Sequence, residues 1–182
     1  MTIIFRIAVL ATLLATSIRV VAAPERGDPL DADVLYLPTP YAVVGAMLRL
    51  AGVRPGDRVY DLGAGDGRIA IAAARDFGAH AVGIELDARK ASEARSNVRR
   101  AGLAARVEIR EGDVLRADLT DATVVTVFLF PGINAQLAPK LRRELAPGTR
   151  VVSHRFGLGD WAPDRQASAD GHPLFLWVVP SR

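Results

Sequence analysis

The sequence has no cysteine. That excludes disulfides, cysteine-ligated zinc and thiol nucleophiles, while leaving the compartment open. Aromatic residues are scarce at 6%, although half the chain is hydrophobic. The core is therefore expected to be built from Ala, Val, Leu and Ile. Neither sign of charge dominates: 23 Lys and Arg face 20 Asp and Glu, a net charge of +3. So small a surplus does not imply nucleic acid, and a solvated arginine surface accounts for it. There is no internal repeat and no low-complexity stretch, and no metal site is expected. A chain of 182 residues predicts one domain with room for a core.

The most informative stretch runs from Arg58 to Arg68. Val59 and Tyr60 suit a strand, and Gly63, Gly65 and Gly67 suit a turn that needs positive φ or close backbone approach. Ile69 to Ala74 then begins a helix of small apolar residues. Such a turn sets free N–H groups at a helix N-terminus. A dinucleotide fingerprint would place its third glycine where Arg68 stands. Here the glycines alternate instead, as Asp61-x-Gly63-x-Gly65-x-Gly67.

Residues 1–23 differ from the rest. Arg6 precedes the apolar run Ile7 to Ala15, and Val21-Ala22-Ala23 ends it with small residues. The pattern fits a secretory signal or an uncleaved anchor. Arg19 within the segment and Pro24 just after it speak against cleavage. A retained anchor with the domain on the cytosolic side is favoured over export. Residues 24–35 read as a linker, and residues 36–182 as the domain.

Along the domain, Thr39 is expected to cap a helix that begins at Pro40 and ends before Gly52. Ala79 to Glu85 reads as a second strand, and Asp87 as the cap of the next helix. Val107 to Arg110 is a third strand. Val124 to Phe130 is a continuous apolar run, as in a central parallel strand. Pro139 should kink or split the helix from Asn134 to Leu145. Arg150 to Arg155 is a fifth strand. Arg165 to Ala169 and Leu174 to Val179 flank the hairpin signal Asp170-Gly171. This alternation predicts an α/β fold with a parallel sheet, whose ligands sit beyond the carboxyl ends of its strands. Asp61, Glu85, Asp113, Pro131 and His154 all fall at such ends. An acid ending the second strand is well placed to accept from both ribose hydroxyls.

The glycine spacing resembles motif I of the class I S-adenosylmethionine (SAM) methyltransferases. From Pro38 to Pro180 the element order is similar to their Rossmann-like fold. That fold has a mostly parallel seven-stranded sheet with a C-terminal antiparallel hairpin. The resemblance implies SAM as cofactor, with Asp61, Gly63, Gly65 and Gly67 at its methionine part. It places Glu85 at the ribose and Asp113 near the adenine amino group.

A narrower resemblance is carried by Tyr36-Leu37-Pro38-Thr39-Pro40, Val59 to Arg68, Val151-Val152-Ser153-His154 and Gly159-Asp160-Trp161. These segments are similar to the mitochondrial lysine methyltransferases that act on the ATP synthase c subunit and the adenine nucleotide translocase. Ala64 stands where cysteine is common in that family. The resemblance implies a protein substrate with an acceptor lysine, possibly membrane-embedded, and no nucleic acid. Tyr36, Thr39 and His154 are the catalytic candidates, and Pro131 and Asn134 the substrate-binding ones. A purely structural role for His154 stays open. Phe128-Leu129-Phe130-Pro131 is not the Asn/Asp-Pro-Pro-Tyr pattern of DNA and glutamine amide methyltransferases. A small-molecule or lipid methyltransferase, or a non-catalytic SAM-binding protein, is the alternative.

Overall fold

The computed structural model describes residues 37–181. The signal-like segment, the linker and Tyr36 lie outside them. In chain order the elements are α1 (Tyr41–Leu50), β1 (Arg58–Leu62), α2 (Arg68–Phe77), β2 (His80–Glu85), α3 (Ala88–Arg100), β3 (Val107–Glu111), β4 (Val124–Val127), α4 (Pro131–Glu144), β5 (Arg150–His154), β6 (Arg165–Ala169) and β7 (His172–Val178).

Seven strands form one sheet in the order β3-β2-β1-β4-β5-β7-β6. The first five are parallel, and β7 runs antiparallel between β5 and β6. The hairpin turns at Asp170 and Gly171, both at positive φ, as its sequence predicts. Both sheet faces are covered. Alternate strand residues such as Val59 and Val152 pack with α1, α2 and α3 on one side. Tyr60, Leu62 and Val151 pack with α4 and Trp177 on the other. Alanines let α2 lie close to the sheet, with Ala70, Ala73 and Ala74 fully covered. Gly83 on β2 completes that fit: a Cβ there would come within 2.8 Å of Ala64 Cβ and 2.7 Å of Ile109 Cδ1.

Three local expectations are corrected. Thr39 does not cap α1; Pro40 holds the cap position and no side chain caps the helix. The Thr39 hydroxyl bonds His154 instead. β4 ends at Val127, not Phe130, because its pairing with both neighbours ends there. Leu62 and Ser153 are the last partners of Val127, and the chain at Gly63 turns toward β2. Phe128 to Phe130 are thereby freed to enter the cleft edge. α4 runs from Pro131 to Glu144 without a break at Pro139. Pro139 and Ala135, whose carbonyl loses its amide partner, both lie on the exposed side.

At the amino ends of the strands a single carboxylate ties the sheet together. Asp57, buried just before β1, accepts from the Arg54 amide at 2.9 Å and the Thr123 hydroxyl at 2.8 Å, and pairs with Arg150 of β5. Burial raises its pKa, but those hydrogen bonds and the Arg150 charge outweigh it and hold the carboxyl below its ordinary value. A lowered pKa stabilises the fold above the ordinary carboxylate range, and that contribution fades as pH falls. Asp57→Ala is therefore expected to cost about 2–3 kcal/mol in urea unfolding at pH 7. The gap to wild type should narrow on acidification, and a gap constant down to pH 3 would contradict this assignment.

Candidate cofactor and acceptor site

The parallel register brings the carboxyl ends of β1 to β5 to one edge. The Gly63–Gly67 loop leaves β1 there. All three glycines have positive φ, at 81°, 55° and 83°. The amides of Gly63 and Ala64 both donate to the Ile84 carbonyl, which pins the loop to the end of β2. A Cβ on Gly63 would collide with Leu129 Cδ2 at 2.6 Å. Asn97 of α3 donates to the Asp66 carbonyl at 2.8 Å. The loop is thus bound from β2, α3 and the strand-four exit.

Glu85, at the end of β2, accepts from the Gly65 amide at 2.8 Å and the Asp87 amide at 2.9 Å, one bond to each carboxylate oxygen. Each oxygen keeps a lone pair for a ligand hydroxyl. Asp87 itself caps α3 as predicted. Asp113 forms a turn beyond β3, its Oδ1 accepting from the Leu115 amide at 2.9 Å. Leu86, 70% exposed, follows Glu85 and offers an apolar surface on the same edge.

Asp61 lies one residue before the end of β1, fully covered, with Thr126 Oγ1 donating to it at 2.7 Å. Burial pushes its pKa up, the Thr126 bond opposes this, and the charges of Glu85 and Asp66 add to the rise; the result is about 7. In the absence of a cation this carboxyl holds its proton to near neutrality.

On the far side of the loop, Arg68 grips Asp66, with Nη2 to Oδ2 at 2.6 Å and Nε to Oδ1 at 2.9 Å. Its Nη1 donates to the Thr39 carbonyl at 3.0 Å, and its guanidinium lies 4.9 Å from the centre of the Tyr41 ring. The residue that breaks the dinucleotide pattern therefore joins the glycine loop to the entry of α1. Thr39 bonds His154, and His154 bonds His172. Neither Arg68 nor His172 is a candidate from the sequence alone. Arg68 is visible there only as a departure from a motif, and His172 carries no signal.

Of the acceptor candidates, Pro131 opens α4 and is exposed. Asn134 is fully buried; its amide donates to the Gly157 carbonyl at 3.0 Å, while its Oδ1 has no hydrogen-bond partner. It braces the loop after β5 and presents no open surface. Asp61, Glu85 and the glycines converge around one loop, Asp113 sits at the neighbouring strand end, and Thr39 and His154 are bonded to each other and buried. Tyr36 lies outside the described residues.

Residues 61–165 match the family model described as the ANTKMT methyltransferase domain. The chain belongs to the ANTKMT methyltransferase family. It is a SAM-dependent methyltransferase, and the sheet order is that of the class I fold. Among curated members, it is 44% identical over 151 residues to a protein-lysine N-methyltransferase of Saccharolobus islandicus, across 80% of this chain and 94% of that one. It is 41% identical over 138 residues to the mouse adenine nucleotide translocase lysine N-methyltransferase, across 76% of this chain and 60% of that one. Its fold also matches a crystal structure of an RNA methyltransferase from Salinibacter ruber bound to S-adenosyl-L-homocysteine. The TM-score is 0.78 and the identity 50%, covering 80% of this chain and 95% of that one.

For this ANTKMT family member, the raised pKa of Asp61 has a consequence for folding. The unfolded chain loses this proton near the ordinary value of 3.8, whereas the folded protein keeps it to about 7. Folding is thus penalised increasingly as pH rises between those values, and the penalty is constant above them. Asp61→Asn should gain stability relative to wild type across that range. Parallel unfolding midpoints for the two proteins at pH 4.5 and pH 7.5 would refute this.

Proposed function

We propose that the protein transfers a methyl group from SAM to the side-chain amine of a lysine in a protein substrate. The observation that carries this reading is the 44% identity that spans 94% of a protein-lysine N-methyltransferase. The chemistry of the cleft supports it. Phe128, which packs on His154 with ring centres 4.1 Å apart, and the half-exposed Phe130 form an apolar exit from β4. That wall suits the methylenes of a lysine and offers no side-chain acceptor for a planar amide.

The residues that would hold the cofactor fit its chemistry. Glu85 keeps lone pairs for the ribose hydroxyls, and Leu86 lies beside it for the base. The second oxygen of Asp113, paired only loosely with Arg116 at 3.7 Å, is the one that would meet the adenine amino group. Asp61 and the Gly63–Gly67 loop would take the methionine part, whose ammonium and sulfonium give the Asp61 carboxyl a reason to ionise. When bound, SAM supplies an electrophilic methyl group on a positively charged sulfur. The protein's part is to align an attacking lone pair with that methyl and exclude water. A lysine ammonium, with an ordinary pKa of about 10.4, must first lose its proton. Burying its chain against Phe128 and Phe130 favours the neutral amine. The membrane setting of the acceptor rests on the hydrophobic residues 1–23. Among the described residues, no helix is long and apolar enough to cross a membrane.

RNA is the second reading, favoured by the name of the Salinibacter ruber structure at 50% identity. Methyl-labelled SAM incubated separately with membrane protein, soluble protein, lipid and total RNA separates the readings. Methyl-lysine in acid hydrolysates of the protein fractions is the expected result. Label confined to RNA or lipid would overturn the lysine reading. The chain's own two lysines, Lys90 and Lys140, set a small self-labelling background, and Lys140 is occupied by Glu144.

Glu85→Ala is expected to weaken SAM binding by about 1.5–3 kcal/mol, the scale of hydrogen bonds to a charged group. Calorimetry that finds unchanged affinity in a folded variant would remove Glu85 from the site.

A further inference from the structure

His154 ends β5 with 1% exposure, and both of its ring nitrogens are engaged. Nδ1 lies 3.2 Å from Thr39 Oγ1, and Nε2 lies 2.9 Å from Nδ1 of His172, the first residue of β7. Its ring is held further by Phe128. Just beyond it, Arg155 adopts a φ of 66°, which only surrounding contacts can sustain in a residue other than glycine. Those contacts are its own amide donating to the Pro173 carbonyl and the Phe156 amide donating to the His154 carbonyl. His154 is therefore fixed in place from every side.

The constraint continues past Thr39. The Thr39 carbonyl accepts from Arg68, and Arg68 clasps Asp66 inside the glycine loop. An unbroken polar path thus runs from β7, through His154, Thr39 and Arg68, to Asp66. We propose that His172 is a positioning residue for the cofactor: acting through His154 and Thr39, it holds Arg68, and with it the Gly63–Gly67 loop, in the shape that receives SAM.

The physical reason lies in where Thr39 stands. Pro40 holds the cap position of α1 and has no polar side chain, so Thr39 sits one residue outside the cap. Its hydroxyl is bound to His154 instead, and that bond anchors the segment whose carbonyl Arg68 holds. Each contact in the His172–His154–Thr39 series carries a single proton, so the hydrogen positions on the two imidazoles must match one another. Burial, followed by the charges of His172 and Arg155, lowers the His154 pKa to about 4, which keeps it neutral. His172 completes the arrangement by fixing which nitrogen of His154 bears the hydrogen. Without it, His154 Nε2 is buried and unpaired, and its orientation toward Thr39 is no longer specified. The Thr39 hydroxyl then loses its anchor, and its carbonyl is no longer held for Arg68.

The test uses the full chain and four variants: His172→Ala, His172→Asn, Thr39→Val and Arg68→Ala. SAM affinity is read by calorimetry and stability by urea unfolding. His172→Ala and Thr39→Val should each weaken SAM binding by about 3- to 10-fold while the protein stays folded. His172→Asn should restore most of the affinity, because its amide sets a polar atom where Nδ1 stood. Combining His172→Ala with Arg68→Ala should weaken binding no further than Arg68→Ala alone, since both cut one path. A purely structural role for His172 would lower stability in His172→Ala and leave SAM affinity unchanged. That result overturns the proposal, as do effects that multiply in the double variant. If His172→Ala does not fold, Thr39→Val alone and combined with Arg68→Ala decides by the same measurements. The readout is binding, so it is independent of which acceptor the enzyme methylates.

Discussion

The hydrogen-bonded register of β1 with its two neighbours determines where every polar group of the site falls. Leu62 pairs with Ile84 on one side and Val127 on the other, so both ladders of β1 end at the same level. Past that line the chain from β1 has only the Ile84 carbonyl to bind, and the loop folds over β2. Glu85 then emerges beneath the Gly65 amide. On the other side, Phe128 and Leu129 leave β4 at the same level; one packs on His154, and the other fills the space under Gly63. A shift of one residue in either pairing would turn Asp61 from the face covered by α1, α2 and α3 to the face covered by α4 and dissolve this arrangement.

The two edges of the sheet are built differently. At the amino ends, Asp57 and Arg150 join the start of β1, the start of β4 through Thr123, and β5 in one compact cluster. Every partner there is satisfied by another part of the protein. At the carboxyl ends, Glu85 and Asp113 each use only part of their hydrogen-bonding capacity within the protein. Groups satisfied at one edge and left with spare capacity at the other are what a scaffold with a single ligand-binding edge requires.

Much of this was legible from the residues. The alternating glycines, the acids at strand ends and the Asp170-Gly171 turn each have a local signature, and each occurs where its signature places it. The failures were tertiary. Thr39 has the sequence of a helix cap, but a histidine 115 positions away takes its hydroxyl. Val124 to Phe130 reads as one long strand by hydrophobicity, yet its length is set by pairing that stops at Leu62 of β1 and Ser153 of β5. Arg68 looked like a missing glycine, whereas it supplies a link that glycine could not. His172 is one of only three histidines and gives no warning in its own neighbourhood. Its importance is created by the antiparallel insertion of β7 beside β5.

The burial of Asp61 also bears on how the site would tell two nearly identical molecules apart. SAM and its demethylated product share an adenosine and an amino acid. They differ by one methyl and by the charge on sulfur. A carboxyl whose pKa burial raises to about 7 would be more fully ionised beside a sulfonium than beside a neutral thioether. Held there, Asp61 would favour the charged cofactor over the spent one. The same burial that weakens the empty fold near neutral pH would then make turnover a matter of charge as well as shape.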